Sequence, residues 1–181
     1  MKNIIICGDS RDKKLTDTII SACRKIGGVF VSDSECIYTT DENPLFCITC
    51  TDRIKMIDAD GIVIFGDGYT EPDEKCTIKR AVCITDSSNK AAVRTLNGTE
   101  SCVIGCSMSG RDTLSISCIT DEYRLVSLQR NIRTLDGDII EPCEIKLFSD
   151  RDLSPFTVLA VCAVLLLTGQ PYDDCFYIYY K

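Results

Sequence analysis

Apolar positions in this chain come in short runs closed by polar turns, and the spacing inside the runs changes part-way along. Residues 2–7 form an apolar run ending at Gly8, the pattern of a strand covered on both faces. Leu15, Ile19, Ile20, Cys23 and Ile26 then recur at helical spacing, and Gly27-Gly28 stop the helix. Residues 29–31, 36–39 and 45–50 read as short strands, and Thr51-Asp52 as the N-cap of a short helix over residues 53–57. Residues 61–65 (GIVIF) are a fully apolar strand closed by Gly66-Asp67-Gly68. Strands alternating with helices predict an α/β fold: a mostly parallel sheet, right-handed crossovers and flanking helices.

After the polar stretch 69–75 comes a strand over residues 80–85, the turn Asp86-Ser87-Ser88-Asn89, a short helix, a strand over 102–105 and a small-residue loop. From Thr113 the pattern alters. Leu114, Ile116 and Cys118 alternate with polar residues, and further runs at 123–129, 132–135, 138–140 and 144–148 follow with no helix between them. Asp136-Gly137 is a hairpin turn, so the second half carries an antiparallel strand block. Residues 153–168 are apolar nearly all round and end at Gly169. At about 16 residues the segment falls short of the roughly 20 needed to span a bilayer, which predicts a buried core helix, capped by Ser154 with Pro155 in its first turn. The tail 176–180 reads as an edge strand or an aromatic patch. The expected organisation is one domain: a nucleotide-loop half (1–78), a strand–helix–strand core (79–112), the antiparallel block (113–148), and a buried helix with its tail (149–181).

Composition narrows the chemistry. Net charge is −7, with no basic run, which argues against nucleic acid and anionic membrane as partners. The absence of histidine excludes Ser-His and Cys-His nucleophilic pairs within the chain, and every His-ligated metal. Thirteen cysteines, odd in number and scattered through apolar segments, read as reduced, buried thiols. Met1-Lys2-Asn3 leads into too short an apolar run for a signal peptide, so the expected setting is cytoplasmic.

Candidate chemistry gathers at the turns. Gly8-Asp9-Ser10-Arg11-Asp12-Lys13-Lys14-Leu15-Thr16 sits where a phosphate loop would. A working loop needs glycines for backbone N–H approach, a lysine, and a hydroxyl for Mg²⁺. Gly8 and Lys14 fit those needs, while Lys13 replaces a glycine and Leu15 the hydroxyl. Asp67, past an apolar strand, stands where a metal-holding carboxylate would, or in an ordinary Asp-Gly turn. Cys47-x-x-Cys50, and a pairing of it with Cys102 and Cys106, are the thiol candidates. Asp86, Ser88 and Asn89 supply a carboxylate, a hydroxyl and an amide in one turn, which also suits helix capping. Ser107, Ser109 and Arg111 offer hydroxyls and a guanidinium for an anion, or a solvated turn with an Arg111–Asp112 contact.

The order of these pieces resembles the central domain of the Mur ligases, ATP-dependent enzymes that add amino acids to peptidoglycan precursors. VCITDSSN (82–89) is similar to the family's strand with its Asn-x-Asp-Asp turn, and VIGCSMSGRD (103–112) to its Gly-x-Ser loop ending in Asp. Residues 152–169 are similar to the alanine-rich helix that follows the antiparallel run, with Ser154 and Thr157 at asparagine positions. The resemblance implies a nucleotide-type fold linked to the bacterial cell wall. The altered loop and the missing histidine of the Gly-x-His-Asn signature imply a relative that kept the sheet without ligase chemistry. It would bind a small anionic ligand or a protein partner through Asp86, Ser88, Asn89, Ser107, Ser109 and Arg111, with no cofactor. Alternatives are an ATP- and Mg-dependent ligase-type enzyme using Gly8, Lys14 and Asp67, and an interaction scaffold using the aromatic tail.

Overall fold

A computed structural model describes residues 1–8, 13–171 and 174–179. The first half supplies β1 (Lys2–Cys7), α1 (Lys13–Arg24), β2 (Val29–Ser32), β3 (Ile37–Thr39), β4 (Phe46–Thr51) and β5 (Met56–Phe65). The central unit is β6 (Thr77–Asp86), α2 (Lys90–Leu96) and β7 (Cys102–Ser107). Then come β8 (Leu114–Ile119), β9 (Tyr123–Leu128), β10 (Ile132–Arg133), β11 (Ile139–Ile140), β12 (Cys143–Ser149), α3 (Pro155–Leu167) and β13 (Cys175–Ile178). Among the described residues eleven strands form one sheet, ordered β13-β12-β9-β8-β7-β6-β5-β1-β4-β2-β3, and β10–β11 form a separate hairpin. Pairing is parallel from β2 across to β8 and antiparallel through β8, β9 and β12. The α/β class, the mostly parallel sheet and the antiparallel block are as the sequence pattern predicts.

Alternation along the central strands divides the core. Ile4, Ile6, Ile62, Ile64, Ile84 and Ile104 face α1 and α3, whereas Cys7, Val63, Phe65 and Cys83 face α2 and the early parts of β5 and β6. Here the pattern misleads at one point. Residues 53–57 form no helix: Thr51 closes a tight turn, its Oγ1 donating to the Arg53 carbonyl at 2.9 Å, and Met56 opens β5. Met56, Ile57 and Asp58 pair with Thr77, Ile78 and Lys79, the register shifts before Gly61, and both strands then enter the main sheet. Ile57 and Ile78 pack on Cys7, Val63, Phe65 and Cys83, so this ribbon covers the face where a crossover helix is expected. Five residues are too few to stabilise a helix, while pairing with β6 satisfies the same backbone groups. Arg80 sits at the bend with φ +62, held by hydrogen bonds to Asp58 Oδ1 at 2.9 Å and to the Asp58 carbonyl at 2.8 Å.

Twelve of the thirteen residues of α3 are buried, although the helix has no polar stripe. The sheet explains this by curling around it. Phe176 and Ile178 of β13 join the same core as α3, while Lys25, just past α1, and Ser21 within it donate to the carbonyls of Tyr177 and Tyr179, each at 3.1 Å. The far strand therefore closes against α1 with α3 enclosed between them. Ser154 caps α3 through the Thr157 amide at 3.2 Å, and Lys2 caps its other end by donating to the Thr168 carbonyl at 2.6 Å. No helix among the described residues is long and apolar enough to cross a membrane.

Candidate functional site

Parallel register fixes where the polar turns go. Cys7 stands opposite Phe65, Phe65 opposite Thr85, and Asp86 opposite Cys106. The ends of β1, β5, β6 and β7 therefore share one rim, bringing Gly8, Asp67, the 86–89 turn and the 107–112 loop into a row. In open α/β sheets this rim is where ligands bind.

The 86–89 turn is built by its own side chains. Asp86 Oδ1 accepts from the Ser88 amide at 2.7 Å, and the Asp86 carbonyl accepts from the Asn89 amide at 3.0 Å. Asn89 caps α2, its Oδ1 accepting from the Ala92 amide at 3.1 Å, while its Nδ2 donates to the Gly66 carbonyl at 3.1 Å. Both ends of that amide are thus committed to structure, tying the end of β5 to the start of α2. Ser88 is exposed. Between the turns runs a latch. The Ser87 amide donates to the Cys106 carbonyl at 3.0 Å, Ser87 Oγ donates to Asp112 Oδ1 at 2.6 Å, and Ser107 Oγ donates to Asp112 Oδ2. One carboxylate so clamps the loops after β6 and β7. Gly105 leaves room for it: a Cβ there would stand 2.8 Å from Asp112 Oδ1 and 3.0 Å from Ser87 Oγ. Instead of an Arg111–Asp112 contact, the carboxylate takes two serine hydroxyls, and the exposed Arg111 has no ion-pair partner among the described residues. Ser109, also exposed, shapes the loop by donating its amide to Ser107 Oγ at 2.9 Å.

No family model and no curated protein matches the sequence. Solved structures do match. A MurF ligase from Thermotoga maritima in complex with ADP aligns over 96% of this chain with a TM-score of 0.53 at 9% identity. MurF from Acinetobacter baumannii aligns over 96% with a TM-score of 0.55 at 7% identity. A murein peptide ligase from Psychrobacter arcticus aligns over 92% with a TM-score of 0.55 at 10% identity. The chain has a Mur-ligase-like fold. At these identities the likeness is one of fold, and the chain spans less than half the length of each (47%, 44% and 44%).

Within this Mur-ligase-like sheet, the described residues around the end of β1 pack closely. Asp9, Ser10, Arg11 and Asp12 lie outside the described residues. The Gly66 amide donates to the Cys7 carbonyl at 2.7 Å, and Leu15 is buried, its Cδ2 3.4 Å from where a Cβ on Gly66 would stand. The cleft lined by Gly8, Leu15, Thr16, Gly66 and Asp67 measures about 20 Å³, room for a single water. Lys13 pairs with Glu35 at 3.1 Å. Lys14 borders a separate cavity of about 400 Å³ together with Arg124, Asp152 and Ser154 at the start of α3. Gly8 and Asp67 therefore share one cleft and Lys14 lines another. Among the described residues no three carboxylates or thiols converge as a metal cage would require.

The thiol candidates are dispersed. Cys47 and Cys50, three apart on β4, point to opposite faces, and Cys102 and Cys106 are four apart on β7, roughly 13 Å by strand rise. Burial pushes the Cys106 thiol well above its ordinary pKa. The rim is organised by Ser87 and Asp112, which lie in the two polar turns the sequence singles out without their contact being foreseen, and by Gly105, which the sequence reading passes over. A glycine inside an apolar strand is the signal that marks such a close approach.

Proposed function

We propose that this Mur-ligase-like chain is a non-catalytic binding module whose strand-end rim takes a small anionic ligand. The observation that carries the reading is the serine–aspartate latch: Ser87 and Ser107 occupy the Asp112 carboxylate and leave the neighbouring Arg111 guanidinium exposed and unneutralised. An arginine so placed offers forked donors to a carboxylate or phosphate. Ser88 and Ser109, both exposed, supply hydroxyls beside it, whereas Asn89 and Asp86 hold the turn. The absence of ligase chemistry is supported by the turn after β1. Leu15 sits in the core at the position the resemblance gives to a Mg²⁺-binding hydroxyl, and the described residues beside Gly8 leave a cleft of about 20 Å³. The described residues there do not fit a Mg-nucleotide. The reading includes a reducing, cytoplasmic setting, supported by free thiols at Cys7, Cys23, Cys83, Cys106 and Cys162 deep in the core.

The competing reading, an ATP- and Mg-dependent enzyme, draws on the ADP in the Thermotoga structure. Calorimetric titration separates the two. Binding of pyrophosphate that Arg111→Gln weakens and Lys14→Ala leaves intact is the expected result. Micromolar binding of Mg-ATP that Lys14→Ala abolishes, with turnover, would overturn the proposal.

A further inference from the structure

Arg130 lies just past β9, nineteen residues beyond Arg111, yet its Nη2 donates to the Arg111 backbone carbonyl at 2.9 Å. Beside it the Gln129 amide donates to the Thr113 carbonyl at 2.9 Å, and Gln129 Nε2 lies 3.4 Å from Ser115 Oγ. These bonds pin the turn leaving β9 against the loop between β7 and β8, so Arg111 and Arg130 occupy one corner of the rim. Both are exposed, and neither has an ion-pair partner among the described residues.

The chain is acidic, and Lys2, Lys13, Lys55, Arg80, Arg94 and Arg124 each meet a carboxylate. At this corner the carboxylate nearest in sequence, Asp112, is held by Ser87 and Ser107 instead. Two exposed arginines on loops tied together leave positive charge at this corner that an anion would neutralise. Gly110, next to Arg111, is itself uncrowded: a Cβ built on it meets no atom within 4 Å.

We infer that Arg111 and Arg130 together grip a compact dianion, a phosphate or dicarboxylate group, with Asp112 and its two serines holding the loop that presents Arg111. Arg130 is thus a second binding residue, and the ligand is one with two negative charges on adjacent oxygens. The inference rests on the rim being the ligand site and specifies the ligand's chemistry there.

Pyrophosphate and malonate serve as probes in calorimetry at low salt, the tighter of the two naming the group recognised. Each Arg–oxyanion contact is a charge-assisted hydrogen bond, so Arg130→Gln is expected to weaken binding about tenfold. Arg130→Lys, which keeps the charge and loses the fork, weakens it by less. Arg133→Gln, on the separate hairpin where Arg133 bonds the Gly137 carbonyl, leaves it unchanged. Undiminished binding by Arg130→Gln alongside a loss in Arg111→Gln would overturn the two-arginine grip and leave the rim as the binding site. Failure of both probes to bind the parent chain would sink the grip and the binding reading together.

Discussion

Three glycines permit a graded test of how β5 enters the sheet. Gly61 has φ +155, and a methyl group on it would stand 2.5 Å from the Asn3 carbonyl oxygen and 3.0 Å from Asn3 Cβ. Neither can retreat, because Asn3 lies in β1, paired with Cys47 of β4 on the other side. Overpacking of this kind costs about 1–3 kcal/mol, and a side chain at that φ adds about 1–3 kcal/mol of backbone strain. Gly61→Ala should therefore lose about 2–6 kcal/mol, or about 4–24 °C in Tm at this chain length. Gly137, in the β10–β11 hairpin, has φ +100 with no atom within 4 Å of a built Cβ. Its alanine variant isolates the backbone component, about 1–2 kcal/mol. Gly110 combines open space with no left-handed φ, and Gly110→Ala should be neutral or gain up to about 1 kcal/mol. Urea and thermal unfolding followed by circular dichroism give the order directly. A Gly61→Ala protein no less stable than Gly137→Ala would refute the close approach of β5 to β1.

Two further expectations follow from burial and from the sheet's edge. Burial pushes the thiols of Cys23 and Cys83 up to about 12, and those of Cys7, Cys106 and Cys162 also rise. Unfolded thiols titrate near 9.0, so the stability they confer is complete below that pH and is lost as pH climbs from there toward the folded values. The fall should approach about 1.4 kcal/mol per pH unit for each such thiol, read from urea midpoints across the alkaline range, and a flat profile would contradict it. At the edge, replacing Lys25 and Ser21 by alanine frees the carbonyls of Tyr177 and Tyr179. The double variant should show a higher mass than the parent in light scattering at raised concentration, because an uncapped edge strand invites pairing; equal masses would argue against that protective role.

Where local periodicity and global packing agree, the sequence was readable. The GIVIF run becomes the buried second half of β5, and Ser154-Pro155 begins α3, because caps and two-sided burial act over a few residues. Residues 53–57 were misread because Ile54 and Ile57 suit one helical turn as well as a strand, and the choice is made by β6, some twenty residues away. The candidate site was legible as two polar turns on one rim, since strand order and direction follow from the alternating pattern. Which side chains reach across that rim was not. The sequence pattern favours Ser88 as the site hydroxyl, yet it is Ser87 that reaches Asp112, and the Asx turn of Asp86 decides which hydroxyl faces β7. Arg130 could not be found by spacing, because its contact with Arg111 depends on β9 returning antiparallel to β8.

Charge along the rim follows from these same constraints. At the β1 and β5 ends, Leu15 packs beside Gly66, and Asp67 lines the same small cleft. At the β6 end, Asp86 and Asn89 are consumed in forming the turn and starting α2. Asp112, which would otherwise neutralise the next stretch, is turned inward by two serines, and Gly105 is what lets it fit. Arg111 and Arg130 form a cationic corner, brought together because the antiparallel block returns the turn after β9 alongside the loop after β7. Substituting Gly105 would therefore act on that corner without touching either arginine. By dislodging Asp112 it would free a carboxylate to pair with Arg111, so the proposed anion site and the packing of the strand-end latch stand or fall together.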